Sequence, residues 1–217
     1  MMKAEIENAS VVVLGSFNPA IFQPAWFGAQ GLITGEEVTA AKLGMVHPEI
    51  AIFSTAWFSL QVTSDRFQIE TVTPDSYPLL RDLVTGTFTI LSQTPVARMG
   101  LNTRRHYRFD AEEKWHAVGH LLAPKEPWAG VLNAPGMRAL VMWGQREGTA
   151  ASKIEVRVES ESHGRPDYRI FVATNHDYVL RGEGGTLHIC ELITAEWDDI
   201  LAYGRTTAES LLRVGMP

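Results

Sequence analysis

The chain has 217 residues, 45% of them hydrophobic, 20% charged and 9% aromatic, with a single cysteine. This balance excludes a disordered tail, a collagen-like fibre and a disulfide-stapled miniprotein, and the length suffices for a core without metal or disulfide staples. The net charge of −6 is unevenly shared: residues 1–95 hold four Lys and Arg against nine Asp and Glu, and residues 96–217 hold fifteen against sixteen. A broad nucleic-acid footprint is therefore not expected, because neutralising phosphates needs clustered cations.

The opening Met1-Met2-Lys3-Ala4-Glu5-Ile6-Glu7 alternates charge where a secretory signal needs an apolar run. No stretch approaches 18 uncharged apolar residues, so a cytoplasmic protein without membrane contact is expected. Ser10-Val11-Val12-Val13-Leu14 is a β-branched run that ends in the turn residues Gly15-Ser16-Phe17-Asn18-Pro19, which predicts a strand. A short helix is predicted near Pro24-Ala25-Trp26-Phe27, proline being tolerated in a first turn. Ile50 to Thr63 and Phe67 to Thr71 flank Ser64-Asp65 and read as a hairpin. The period then changes: Leu79, Leu80, Leu83, Val84, Phe88 and Leu91 recur at helical spacing after the possible cap Asp75-Ser76.

After Pro95 a similar order returns. Val96 to Leu101 predicts a strand, and Asp110 to Trp115 a helix entry with Asp at the cap and acids in the first turn. Arg138 to Trp143 is a short strand, Ile154, Val156 and Val158 alternate with Glu155 and Arg157, and Tyr168, Ile170 and Val172 alternate with Arg169 and Phe171. Ser162 to Pro166 separates the last two as a turn. An amphipathic helix closes the chain through Leu192, Ile193, Trp197, Ile200, Leu201, Leu211 and Leu212. Cys190, among Leu187, Ile189 and Leu192, reads as a buried structural thiol in a reducing compartment.

The expected fold is α+β: an antiparallel sheet built from two similar strand-helix-strands-helix halves, 1–95 and 96–217, forming one continuous unit with helices on one face. Leu14-Gly15-Ser16-Phe17-Asn18 would open the first half and Met99-Gly100-Leu101-Asn102 the second, each followed by an aromatic-bearing pair and then a tryptophan, Trp26 or Trp115.

Three constellations bear on chemistry. His116 and His120 are four apart, a spacing that lets two imidazoles on one helix face grip one metal ion. The glutamate of a His-Glu-x-x-His motif is absent, however, and the bland reading is two partly buried histidines beside Trp115 and Trp128. Asn175-His176-Asp177 ends a predicted strand, where a His with an orienting Asp is conceivable, but no Gly-x-Ser-x-Gly elbow supplies a nucleophile and simple strand termination competes. Arg104-Arg105-His106-Tyr107-Arg108 is the one dense basic run; on a strand Arg104, His106 and Arg108 share a face and could meet an acidic partner or a phosphate backbone, unless carboxylates nearby neutralise them. No catalytic residue is assigned and no cofactor is expected: there is no Walker loop, and Gly182-Glu183-Gly184-Gly185 lacks the strand-to-helix frame of a dinucleotide site.

The stretch Gly15-Ser16-Phe17-Asn18-Pro19 through Phe27, with Met99-Gly100-Leu101-Asn102 and Asn175-His176 further on, resembles a sporadically distributed, uncharacterised bacterial family. The resemblance covers nearly the whole chain, implies one continuous two-half unit of bacterial cytoplasmic origin, and carries no activity across. The first expectation is thus a non-catalytic protein-interaction or assembly subunit with a protein partner or a second copy. Trp26, Phe27, Trp57 and Phe58 are candidate contact residues, with core packing as the alternative for each. A metal-dependent enzyme using His116, His120 or His176, and nucleic-acid binding through Arg104 to Arg108, are the other two classes.

Overall fold

The computed structural model describes residues 3–161, 167–181 and 185–215; the expected turns at 162–166 and 182–184 lie outside them. Nine strands appear in chain order: β1 (Ile6–Gly15), β2 (Lys42–His47), β3 (Ile50–Ser54), β4 (Ser59–Thr63), β5 (Arg66–Thr71), β6 (Val96–Arg108), β7 (Ala139–Gly144), β8 (Lys153–Ser160) and β9 (Arg169–Val179). Five α-helices accompany them: α1 (Pro24–Ala29), α2 (Gly35–Ala40), α3 (Tyr77–Ile90), α4 (Glu112–Leu122) and α5 (Gly185–Leu212). The strands form one sheet in the order β2-β3-β4-β5-β1-β6-β9-β8-β7, antiparallel at every pairing.

Alternation decides which side chains are covered. Val11 stands opposite Ile69 and Leu101, and Val13 opposite Phe67 and Met99. Since directly opposite residues share a sheet face, these apolar rows form one buried surface. Leu80, Leu83, Val84 and Phe88 of α3, and Ile189, Ile193, Trp197 and Ile200 of α5, close over it. Phe22, Phe27, Phe53, Phe67 and Phe88 join them, with edge-to-face contacts of 5.6 Å between Phe27 and Phe53 and 5.1 Å between Phe67 and Phe88. A second cluster gathers Tyr107, Phe109, Val118, Val158, Ile170, Val172, Ala208 and Leu212. At 28 residues α5 is about 42 Å long, enough to reach both.

Several elements differ from their sequence expectation. The stretch from Ile50 to Thr63 is two strands, because Thr55 N–H bonds to Phe58 C=O at 2.9 Å and turns the chain. The strand from Val96 continues to Arg108, since its basic end pairs with both β1 and β9. Asn175-His176-Asp177 does not end a strand: β9 runs on to Val179. The cap of α4 is Ala111, while Asp110 reaches Lys114 at 2.9 Å instead. Leu79 points away from the core that its neighbours Leu80 and Leu83 enter. Cys190 is half-buried, with Sγ 3.5 Å from the Thr85 carbonyl and 3.7 Å from Thr89 Oγ1. Among the described residues no helix is long and apolar enough to cross a membrane.

Candidate functional site

The β1–β6 register sets Glu7 directly against Arg105. Arg105 lies on the helix side, 2% exposed, where a guanidinium has to find partners for all its donors. Nε reaches Glu7 Oε2 at 3.1 Å, Nη1 reaches Thr103 Oγ1 at 3.0 Å, and Nη2 reaches the Leu201 carbonyl of α5 at 3.2 Å. Thr103 in turn meets Thr174 across the strand pair at 2.8 Å. This polar belt lies between the two apolar clusters, and Gly204 is what lets α5 approach it. A Cβ there would stand 2.1 Å from Thr103 Oγ1 and 2.6 Å from Arg105 Nη1.

One row along β9, His176 is fully buried, its ring edge-on to Tyr203 with centroids 5.2 Å apart. Neither ring nitrogen has a hydrogen-bond partner among the described residues. Burial first, and the positive charge of Arg146 second, push the imidazole down to about 4, so it is neutral near pH 7. Arg146 lies 4.6 Å above the Tyr203 ring and forks onto Asp199 at 2.7 and 2.9 Å. That double hydrogen bond holds Asp199 below the usual carboxylate range. Glu196 beside it accepts from Tyr178 Oη at 2.7 Å, from Ala150 N at 2.5 Å and from Thr149 Oγ1. Burial raises Glu196, but these donors together outweigh it and leave the carboxyl lowered. The cluster thus ties the 146–150 loop to α5, with Asp199 paired by Arg146 and Glu196 held by neutral donors. Such an arrangement fastens a loop to a helix.

The residues singled out from sequence do not converge. Arg104, His106 and Arg108 share the open sheet face, opposite the helices, as strand alternation requires. Each is met by a carboxylate: Arg104 by Glu70 at 3.2 Å, His106 by Glu161 at 2.9 Å, and Arg108 by Glu5 at 2.8 Å and Asp167 at 3.4 Å. His116 and His120 line a cavity with Trp115, Gly119, Lys125 and Met137. Their ring centroids are 6.2 Å apart, and His116 faces Glu112 at 3.4 Å. His176 is not among the residues lining that cavity. Among the described residues no group of three His, Cys, Asp or Glu is placed to hold a metal ion. Asp177 lies on the face opposite His176 and pairs with Arg98, so it does not orient the imidazole. Phe27 and Phe58 are buried, and Trp26 and Trp57 lie half-buried against the same core.

The strand expected over Arg138 to Trp143 is present as β7, but sequence reasoning did not single it out as a contact surface. It ends the sheet order, and Val141, Met142 and Trp143 are 43%, 61% and 72% exposed. Ala-Leu-Val-Met-Trp without polar alternation is the pattern of a strand covered on both faces, yet here both faces of the strand meet solvent. The signal that points to it is this mismatch, an apolar run in an exposed place. The opposite edge, β2, carries Lys42 and His47 and is broken by a bulge between Leu43 and Met45.

No protein-family model matches the chain, and no curated protein is significantly similar to it.

Proposed function

We propose that the chain is a non-catalytic interaction or assembly subunit of a bacterial cytoplasmic system. The observation that carries this reading is the edge strand β7, six residues without a charge or proline, exposed on both faces and with no described strand paired on its outer side. An edge of this kind is a template for another strand unless something blunts it. The bacterial and cytoplasmic assignment leans on the Gly15–Pro19 opening and its family resemblance.

The two-half organisation, 1–95 and 96–217, belongs to the same proposal. It draws support from the sheet order: β1 and β6 lie side by side at the centre, and each is flanked on its outer side by the last strand of its own half. In both halves a longer helix, α3 or α5, then follows. The basic residues Arg104, His106 and Arg108 lend less to a phosphate or acidic partner, because each is already engaged by a carboxylate.

The test is co-purification. The tagged chain, held at low expression, is expected to bring down a complex that disappears on Trp143→Lys while the melting temperature is kept. A complex unaffected by this change places the contact elsewhere, and activity on a small molecule with β7 intact or altered argues for an enzyme.

A further inference from the structure

We propose that β7 is the seam of a homodimer, pairing antiparallel with β7 of a second copy so that the two nine-stranded sheets become one. The inference rests on the assembly reading and names its partner.

The backbone chooses the groups that are available. Ser160 N–H donates to the Arg138 carbonyl at 3.0 Å, and in an antiparallel ladder such bonding positions recur at every second residue. Leu140, Met142 and Gly144 therefore bond inward to β8, opposite Val158, Val156 and Ile154. Ala139, Val141 and Trp143 aim their N–H and C=O groups outward from the edge of the sheet.

A two-fold axis perpendicular to the sheet keeps both helix layers on one side, and it requires opposing residues to share a face. Centred on Val141, the pairing sets Val141 against Val141 of the second copy and Ala139 against its Trp143, all on the open face. Met142 then meets Leu140 of the second copy on the helix side. This register uses all three outward-facing residues; a centre on Met142 leaves Ala139 without a β7 counterpart. It also lays Trp143, the largest side chain of the strand, over the small Ala139. Charge does not oppose it: Arg157, the row neighbour of Val141, is held by Glu159 at 2.7 Å, so no like-charged pair stands at the seam.

The second edge offers no equal site. β2 carries the bulge between Leu43 and Met45, which breaks the run of outward groups, together with Lys42 and His47. The comparison favours a single closed pair through β7 over an open-ended stack.

Analytical ultracentrifugation of the purified chain from low to high micromolar concentration is expected to show a shift to twice the monomer mass. Val141→Lys sets two ammonium groups against each other across the axis, and Val141→Glu two carboxylates, so each variant alone is expected to stay monomeric over that range. An equimolar mixture should recover the association, since lysine then faces glutamate. Both variants change an exposed side chain and leave the inward ladder intact. If either fails to fold, amide exchange on the unaltered chain decides: Ala139, Val141 and Trp143 should gain protection as concentration rises. A wild-type chain that stays monomeric, single variants that still dimerise, a mixture that does not recover, or unchanged exchange at these amides each overturns the inference. A monomeric wild type whose co-purified complex is nonetheless lost on Trp143→Lys overturns only the second copy as partner and leaves the assembly reading standing.

Discussion

Arg105 and Arg108 lie three residues apart on one strand and lead opposite lives. Arg108 is half exposed between Glu5 and Asp167, and pairs of that kind contribute about 0–1 kcal/mol. Arg105 is buried with three partners, and removing one member of such a network strands the others, at about 3–5 kcal/mol. Urea denaturation should therefore separate Arg105→Ala from Arg108→Ala by several kcal/mol, and equal losses would contradict the belt. His176 makes a pH-dependent statement. Its folded-state value near 4 lies below the ordinary 6.5, so between those limits the unfolded chain binds the extra proton and stability falls with pH. The contribution is fully present above about pH 6.5 and its loss reaches about 3 kcal/mol near pH 4. His176→Phe, which keeps an aromatic ring beside Tyr203, is expected to flatten this slope in denaturation curves taken at successive pH values.

Among elements, α3 shows how finely a helix face is resolved. Leu83 is 4% exposed and Leu79 53%, though both belong to the same apolar series in sequence. Leu83→Ala should cost about 2–5 kcal/mol, while Leu79→Ala should stay within about 0.5 kcal/mol; comparable shifts in melting temperature would reverse the assigned face. Helical spacing located α3 and α5 because each has a long apolar stripe, and alternation located β8 because one side of it is polar, Lys153, Glu155, Arg157 and Glu159. What stayed illegible has physical reasons. The capping box of α2, Thr34 with Glu37, stabilises only six residues that bury no apolar stripe. β2 is held by its pairing with β3 and by little of its own. Arg105 looks like any cation of a basic run until the β1–β6 register, a long-range fact, places it under α5. β7 was legible as a strand, but its exposed edge position was not, because an unbroken apolar run is the pattern of a covered strand and the strand order is a long-range fact.

For the molecule as a whole, the sheet is continuous from β2 to β7 and α3 and α5 contact each other across the boundary between residues 95 and 96. If the halves are similar but interdependent, a chain divided in the exposed Ser92–Gln93 stretch should assemble when 1–92 and 93–217 are co-expressed. Neither piece alone is expected to melt cooperatively, because each leaves the facing helix and central strand uncovered. Calorimetry of the separate and combined pieces checks this, and an independently cooperative 1–92 piece would make the first half a domain in its own right.

The pairing of β1 with β6 also sets a timetable for synthesis. Ile6 waits for His106 and Gly15 for Val96, separations of 100 and 81 residues by subtraction. At roughly 5–20 residues per second, the ribosome needs about 4–20 s to deliver β6 after β1. During that interval β5 can zip onto one side of β1, while the other side, with Val11, Val12 and Val13 at its centre, faces solvent as a nascent edge. The central seam of the finished sheet is thus the last part of the first half to be closed, and a chaperone that holds extended apolar segments has its longest access there.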